Sequence, residues 1–184
     1  MSENEFPIES SSRVAAVLDC YPELEDVLIG MAPPFKKLKN PFLRKSVAKV
    51  ATLRQAAAVG GIPVDELVNR LRSVVGQTPI GLEDTGGAAT YFLSRPNWFD
   101  TSKVVASIDE RKDGDEDKMP IITVLQRANR LQPEEILELI TTFLPAPGID
   151  IMKAKGFLFW SIQENPELVR TYFSKPVQEC KDEG

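Results

Sequence analysis

Asn40–Leu71, NPFLRKSVAKVATLRQAAAVGGIPVDELVNRL, carries the helix punctuation that decides how the first half of the chain folds. Asn40-Pro41 reads as an N-cap followed by proline at the first helical position, where a missing N–H costs nothing. A helix to about Val50 follows. Thr52 caps another helix, with Leu53, Ala56 and Ala57 on its small-residue face, and Gly60-Gly61 end it by accepting a left-handed backbone. Pro63 then opens a helix that turns Val64, Leu67, Val68, Leu71 and Val75 inward. Upstream, Ser12 can cap a helix carrying Val14, Val17 and Leu18. Glu23 to Met31 reads as a second helix with Leu24, Val27 and Leu28 inside, stopped by Pro33-Pro34. The stripes together predict an all-helical domain over residues 1–77 that closes around one core.

Thr78 to Asp100 is rich in glycine, proline and turn-forming residues, which predicts a linker without long regular structure. Tyr91, Phe92, Trp98 and Phe99 are too apolar for a free tether, so the linker is expected to dock. The period then changes. Val104 to Ile108 reads as a strand, Asp109 to Lys118 as a polar loop and Pro120 as the start of a helix bearing Ile121, Ile122, Val124, Leu125 and Ala128. Ile136 to Phe143, bounded by Pro133 and Pro145, is short for a helix and is assigned as a strand. A helix around Ile149 to Lys155, closed by Gly156, and a hairpin of Phe157–Gln163 and Leu168–Ser174 complete residues 101–184, which end in a polar tail. The expected class is α+β: a small helical domain followed by a two-layer β-α-β-α-β-β domain with its helices on one face of the sheet.

Composition narrows the chemistry. The 184 residues are 42% hydrophobic and 27% charged, an ordinary balance for a globular protein. No stretch approaches the roughly 18 apolar residues of a membrane span, and the beginning lacks the features of a secretory signal, so a cytoplasmic protein is expected. There is no histidine, which removes histidine-based triads, shuttles and haem or typical zinc ligation. Cys20 and Cys180 form no CxxC pair, so neither a disulfide framework nor a dithiol site is written here. Cys20 reads as a small buried residue. Asp113, Asp115, Glu116 and Asp117 lack the ligand order of a calcium loop and read as a solvated loop. No cofactor is expected.

Charge is distributed unevenly. No acidic residue lies between Asp26 and Asp65, whereas that interval holds Lys36, Lys37, Lys39, Arg44, Lys45, Lys49 and Arg54. A basic surface of this kind draws an anionic partner, faces solvent or faces the other domain. The small-residue helix, glycine turn and following helix have the spacing of a helix-turn-helix. The second helix, however, begins Pro63-Val64-Asp65-Glu66 and would present carboxylates to phosphate, so nucleic acid is not the expected partner.

Asn40–Leu71 with the preceding VAAVLDCYPELEDVLIGM resembles domain-of-unknown-function family 1858, a helical family akin to the redox-disulfide domain associated with hybrid-cluster proteins. The resemblance spans about residues 8 to 76. It places cysteines around a turn that here reads Gly30-Met31-Ala32-Pro33-Pro34, so dithiol chemistry does not carry over. RLQPEEILEL and FLPAP in the second half resemble domain-of-unknown-function family 2249, similar in turn to the TusA/SirA sulfur-carrier fold. That resemblance implies a Cys-Pro pair opening the first helix, where this chain has Met119-Pro120. A thioether forms no persulfide.

These readings lead to a binding protein with no assigned catalytic residue. It would recognise a small anionic ligand or a protein partner between its two domains, through Arg44, Lys45 and Lys49 and, more weakly, Arg111 and Lys112. An accessory of redox or sulfur metabolism without its own carrier thiol ranks second, and a DNA-binding regulator last. The sequence leaves homo-oligomerisation open.

Overall fold

The computed structural model describes residues 6–81, 87–112 and 120–177. The chain folds as two compact units, Met1–Tyr91 and Phe92–Gly184.

The first unit is helical. It contains α1 (Val14–Cys20), α2 (Leu24–Met31), a 3-10 segment (Pro33–Lys39), α3 (Pro41–Val50), α4 (Leu53–Gly60) and α5 (Val64–Val74). Val17, Leu18, Leu24, Leu28, Leu53, Leu67, Val68 and Leu71 are buried in one cluster. A fully buried side chain of this size contributes about 1.5–3 kcal/mol relative to exposure, so these stripes hold the helices together. Thr52 makes the expected cap and more: its hydroxyl accepts from Gln55 N while the Gln55 side chain accepts from Thr52 N, a reciprocal capping box. Gly61 closes α4 at φ 65°. Gly60 serves a different need, because a Cβ there would stand 2.8 Å from the Phe35 ring.

Two expectations for this unit are corrected. Ser12 does not cap α1; the cap position is Arg13, and the Ser12 hydroxyl accepts from Glu9 N and donates to Pro7 O. An Arg13–Thr52 bridge instead joins the start of α1 to the start of α4, leaving Ser12 to close its own turn. Cys20 is exposed rather than buried, because it ends α1. The 3-10 segment was hidden behind Pro33-Pro34, which stop α2 but also suit the first turn of a new helical segment.

Gln77 fastens the unit's ends. Its side-chain oxygen accepts from Ile8 N at 3.2 Å, and its side-chain nitrogen donates to Phe6 O at 2.9 Å and to Tyr21 Oη at 3.1 Å. Arg72 adds bonds to the Ile8 and Thr78 carbonyls at 2.7 and 2.6 Å.

The second unit is α+β. Its elements are β1 (Val104–Asp109), α6 (Pro120–Asn129), β2 (Ile136–Thr141), α7 (Ala146–Ala154), β3 (Leu158–Asn165) and β4 (Leu168–Ser174). They build a four-stranded sheet ordered β1-β2-β4-β3, with β1 and β2 parallel and the other pairs antiparallel. α7 begins earlier than the expected Ile149, since both Pro145 and Pro147 fall where helix N–H groups have no intrahelical partner. Ile122, counted among the packing residues of α6, is exposed, while Val124 and Ala128 are buried.

The pairing register sorts the sheet into two faces. Ile108, Leu137, Leu139, Thr141, Val169, Thr171 and Phe173 share the face that α6 and α7 cover. Ser107, Ile136, Glu138, Arg170, Tyr172, Trp160 and Ile162 share the other. Trp98 and Phe99 pack into the aromatic cluster on this second face within the second unit. Phe99 lies 4.6 Å from the Trp160 ring centre and 4.5 Å from that of Tyr172, and Trp160 Nε1 donates to Leu93 O at 2.9 Å.

Candidate functional site

In the helical unit, the residues expected to attract an anion lie on α3, and they divide by partner. Arg44 is half-buried and forms an ion pair with Glu25 of α2. Its guanidinium holds two helices together and is only partly available to a ligand. Lys45 and Lys49 are exposed. Their four-residue spacing places them one above the other on a single helix face. The Lys49 carbonyl accepts from Arg13 Nη1 at 2.9 Å, which brings a further guanidinium to the C-terminal end of α3. Lys36 and Lys39, in the preceding 3-10 segment, are exposed as well. This surface can supply point charges to a carboxylate or phosphate, with Arg44 contributing to its field from the side.

Arg111 and Lys112 sit just past β1, where both meet their own carboxylate. Asp109 accepts from Arg111 Nε and Nη2, each at 2.8 Å, and from the Arg111 backbone N–H at 3.1 Å. Lys112 Nζ lies 3.8 Å from it. The Arg111 side-chain bonds come first among the causes that lower the Asp109 pKa to about 2. The Arg111 fork is therefore occupied by a two-residue clamp that shapes the turn, and its capacity for another anion is reduced.

The sheet holds a polar cluster that reading along the chain did not find. Glu138 projects from the central strand β2 and accepts from Ser107 Oγ of β1 at 2.7 Å, from Arg170 Nη1 of β4 at 2.7 Å and from Tyr172 Oη of β4 at 3.2 Å. Arg170 also donates through Nε to Glu164 Oε1 of β3 at 2.9 Å. All four strands contribute. Burial by itself pushes the Glu138 carboxyl up, but the bonds from Ser107 and Arg170 and the arginine's charge outweigh it, so the pKa lies below the ordinary range. Burial first, then the Glu138 charge, pushes the Tyr172 phenol up to about 12. Both groups keep one protonation state across the neutral range, which suits electrostatic positioning better than proton exchange. A glutamate interrupting the apolar strand Ile136–Thr141 was the available signal. Its partners are separated from it by 31 to 34 positions and come together only through the strand register.

Beside this cluster, Trp98, Lys153, Phe157, Leu158 and Phe159 line a shallow depression of about 400 Å³ at the start of β3. Met119, the acidic residues Asp113–Asp117 and Cys180 lie outside the described residues. Among the described residues no group of three or more histidine, cysteine, aspartate or glutamate side chains is placed to hold a metal ion. No helix among them is long and apolar enough to cross a membrane.

No curated protein and no solved structure matches the chain. Residues 8–68, which run from the Gln77-bound N-terminal segment into α5, match the family described as Domain of unknown function (DUF1858), and it is to that family that the helical part of the chain is similar.

Proposed function

We propose that the chain is a non-catalytic binding protein whose helical unit engages a small anionic ligand or an acidic protein surface through α3. The observation that carries this reading is the exposed pair Lys45 and Lys49 in an acid-free stretch, on a helix whose own arginine, Arg44, is held by Glu25. The helix cations that remain outward are flexible point charges, which fit a solvated anion or a mobile acidic segment better than a planar group clamped by a fork. The proposed setting is the cytoplasm.

Titrating the full chain with inorganic phosphate and with citrate, followed by amide chemical shifts, tests the placement. The double charge reversal Lys45→Glu and Lys49→Glu should weaken binding by about tenfold or more, and the effect should shrink with added salt. Unchanged affinity removes α3 from the site. Native mass spectrometry of freshly purified protein adds the identity of any retained anion.

A second reading, an accessory of sulfur or redox metabolism, draws on the β-α-β-α-β-β order of the second unit, which is in keeping with the sulfur-carrier resemblance, and on the exposure of Cys20. A mass increase of one sulfur atom on a cysteine of the isolated protein revives carrier chemistry and rejects a purely binding role. A wholly unmodified thiol, before and after incubation with a persulfide donor, rejects carrier chemistry and leaves an accessory that acts through partner recognition.

A further inference from the structure

The sheet of the second unit ends in two edge strands, β1 and β3, and the two are unequally protected. An edge strand leaves alternate backbone N–H and C=O groups without a sheet partner, and proteins blunt such edges with charges, prolines or bulges. β1 has a register shift between Val104 and Ala106, at its exposed apolar side chain, Val105. That irregularity spoils it as a template. β3 is different. Leu158–Gln163 reads LFWSIQ, without a charge or proline, and its register shift comes only afterwards, between Gln163 and Asn165.

Two large apolar side chains on this strand face solvent, Leu158 at 37% and Ile162 at 39% exposure. The register with β4 puts both on the same face of the sheet as Trp160, which lies midway between them. The strand is also polar in charge along its length. Lys153 and the exposed Lys155 precede it, and the exposed Glu164 and Glu167 follow its uncharged run.

We propose that β3 pairs antiparallel with β3 of a second copy of this chain, about a two-fold axis perpendicular to the sheet at Trp160. Such an axis keeps like faces together, so residues that meet across it must belong to one face. Centring on Trp160 sets Leu158 opposite Ile162 of the other copy, and Ile162 opposite its Leu158. Both exposed apolar side chains are then covered by one operation. The same register brings the basic approach of one strand against the acidic end of the other. Centring on Ser161 would place Leu158 against Glu164, and centring on Phe159 would leave Ile162 facing Gly156. Neither covers both side chains. The result is a continuous eight-stranded sheet, twice the four strands of one copy.

Sedimentation of the full chain across the micromolar range tests the pairing, with circular dichroism confirming that each variant is folded. The wild type should reversibly dimerise. Ile162→Lys should raise the dissociation constant by up to about 25-fold, because the pair is lost twice, at up to about fivefold each. Val105→Lys, on the bulged edge, should leave it unchanged. Adding Leu158→Glu to Ile162→Lys should recover association, since the introduced charges then lie opposite each other across the axis. A wild type that stays monomeric throughout the range overturns the proposal. So does a dimer indifferent to Ile162→Lys, one that Val105→Lys disrupts equally, or a double variant no tighter than Ile162→Lys alone.

Discussion

Glu138→Gln removes a charge from the face of the sheet opposite α6 and α7 while keeping the length of the side chain. The carboxylate accepts from Ser107, Arg170 and Tyr172, and a hydrogen bond to a charged acceptor contributes about 1.5–3 kcal/mol against about 1 kcal/mol for a neutral one. The Glu138 and Arg170 side chains are 14% and 28% exposed, so solvent screens part of that difference, and Arg170 keeps its bond to Glu164. The expected loss is about 1 kcal/mol for glutamine, and about 2 kcal/mol for alanine, which leaves the arginine and phenol short of an acceptor. The assay is urea unfolding read by tryptophan fluorescence. Both tryptophans, Trp98 and Trp160, belong to the aromatic cluster of this unit, and Trp160 stacks on Tyr172 at 5.5 Å, so the signal reports the second unit. With a slope of about 2 kcal/mol per molar, the urea midpoint should fall by about 0.5 M.

The pH dependence gives the same experiment a second arm. Folding depresses the Glu138 pKa, so its stabilisation is complete above the ordinary carboxyl value of 4.5 and disappears as pH falls through the folded value. Wild type and Glu138→Gln should therefore differ at neutral pH and converge in acid. Equal midpoints at neutral pH, or a gap that persists undiminished in acid, would refute the account of Glu138 as a charge-assisted acceptor.

Thr52→Ala should cost the helical unit about 1 kcal/mol in thermal unfolding followed by far-ultraviolet circular dichroism, and adding Gln55→Ala should cost less than it does alone, because the capping box is reciprocal. Gly61→Ala should lose about 1 kcal/mol to its positive φ, while Gly60→Ala should lose about 1–3 kcal/mol through contact with the Phe35 ring; Phe35→Leu should relieve only the latter, so equal relief of both would contradict the packing argument. In a carbon-detected titration the Asp109 carboxyl should show a midpoint of about 2, and Arg111→Ala should move it up toward 3.8; the clamp thus contributes stability above 3.8 that is lost as pH falls toward 2.

Local chemistry was legible along the chain. Thr52 announced the cap of α4, though not the reciprocal bond from Gln55, the paired glycines announced its end, and Pro133 and Pro145 bounded β2 well enough to separate it from a helix. Errors arose where one residue type serves opposite ends of an element. Pro33-Pro34 ended α2 and opened the 3-10 segment, while Pro145, read as the bound of β2, also stands at the cap position of α7. Ser12 had the right chemistry for a cap, but the bridge from Arg13 to Thr52 fixed a different path. Longer-range pairings were less accessible. Arg44 looked like an outward cation until α2 brought Glu25 to it, and the Glu138 cluster depends on a strand register that local periodicity does not specify. For Lys45 and Lys49, exposure followed from charge alone; a partner is a property of another molecule and has no local signal.

The Gln77 clasp makes the entry and exit of the helical unit neighbours, since Phe6 and Ile8 are bound to the side chains of Arg72 and Gln77. A fragment cut to the family-matched limits, 8–68, therefore ends before both of those side chains and leaves the first segment without its fastening. Extending it back to Phe6 and forward to Ile80 restores the clasp, along with the paired bonds of Asn69 to Ile80. With its ends side by side, this unit also has the geometry of a transplantable module: it can be inserted into a surface loop of another protein through one narrow attachment, without prying the host strands apart.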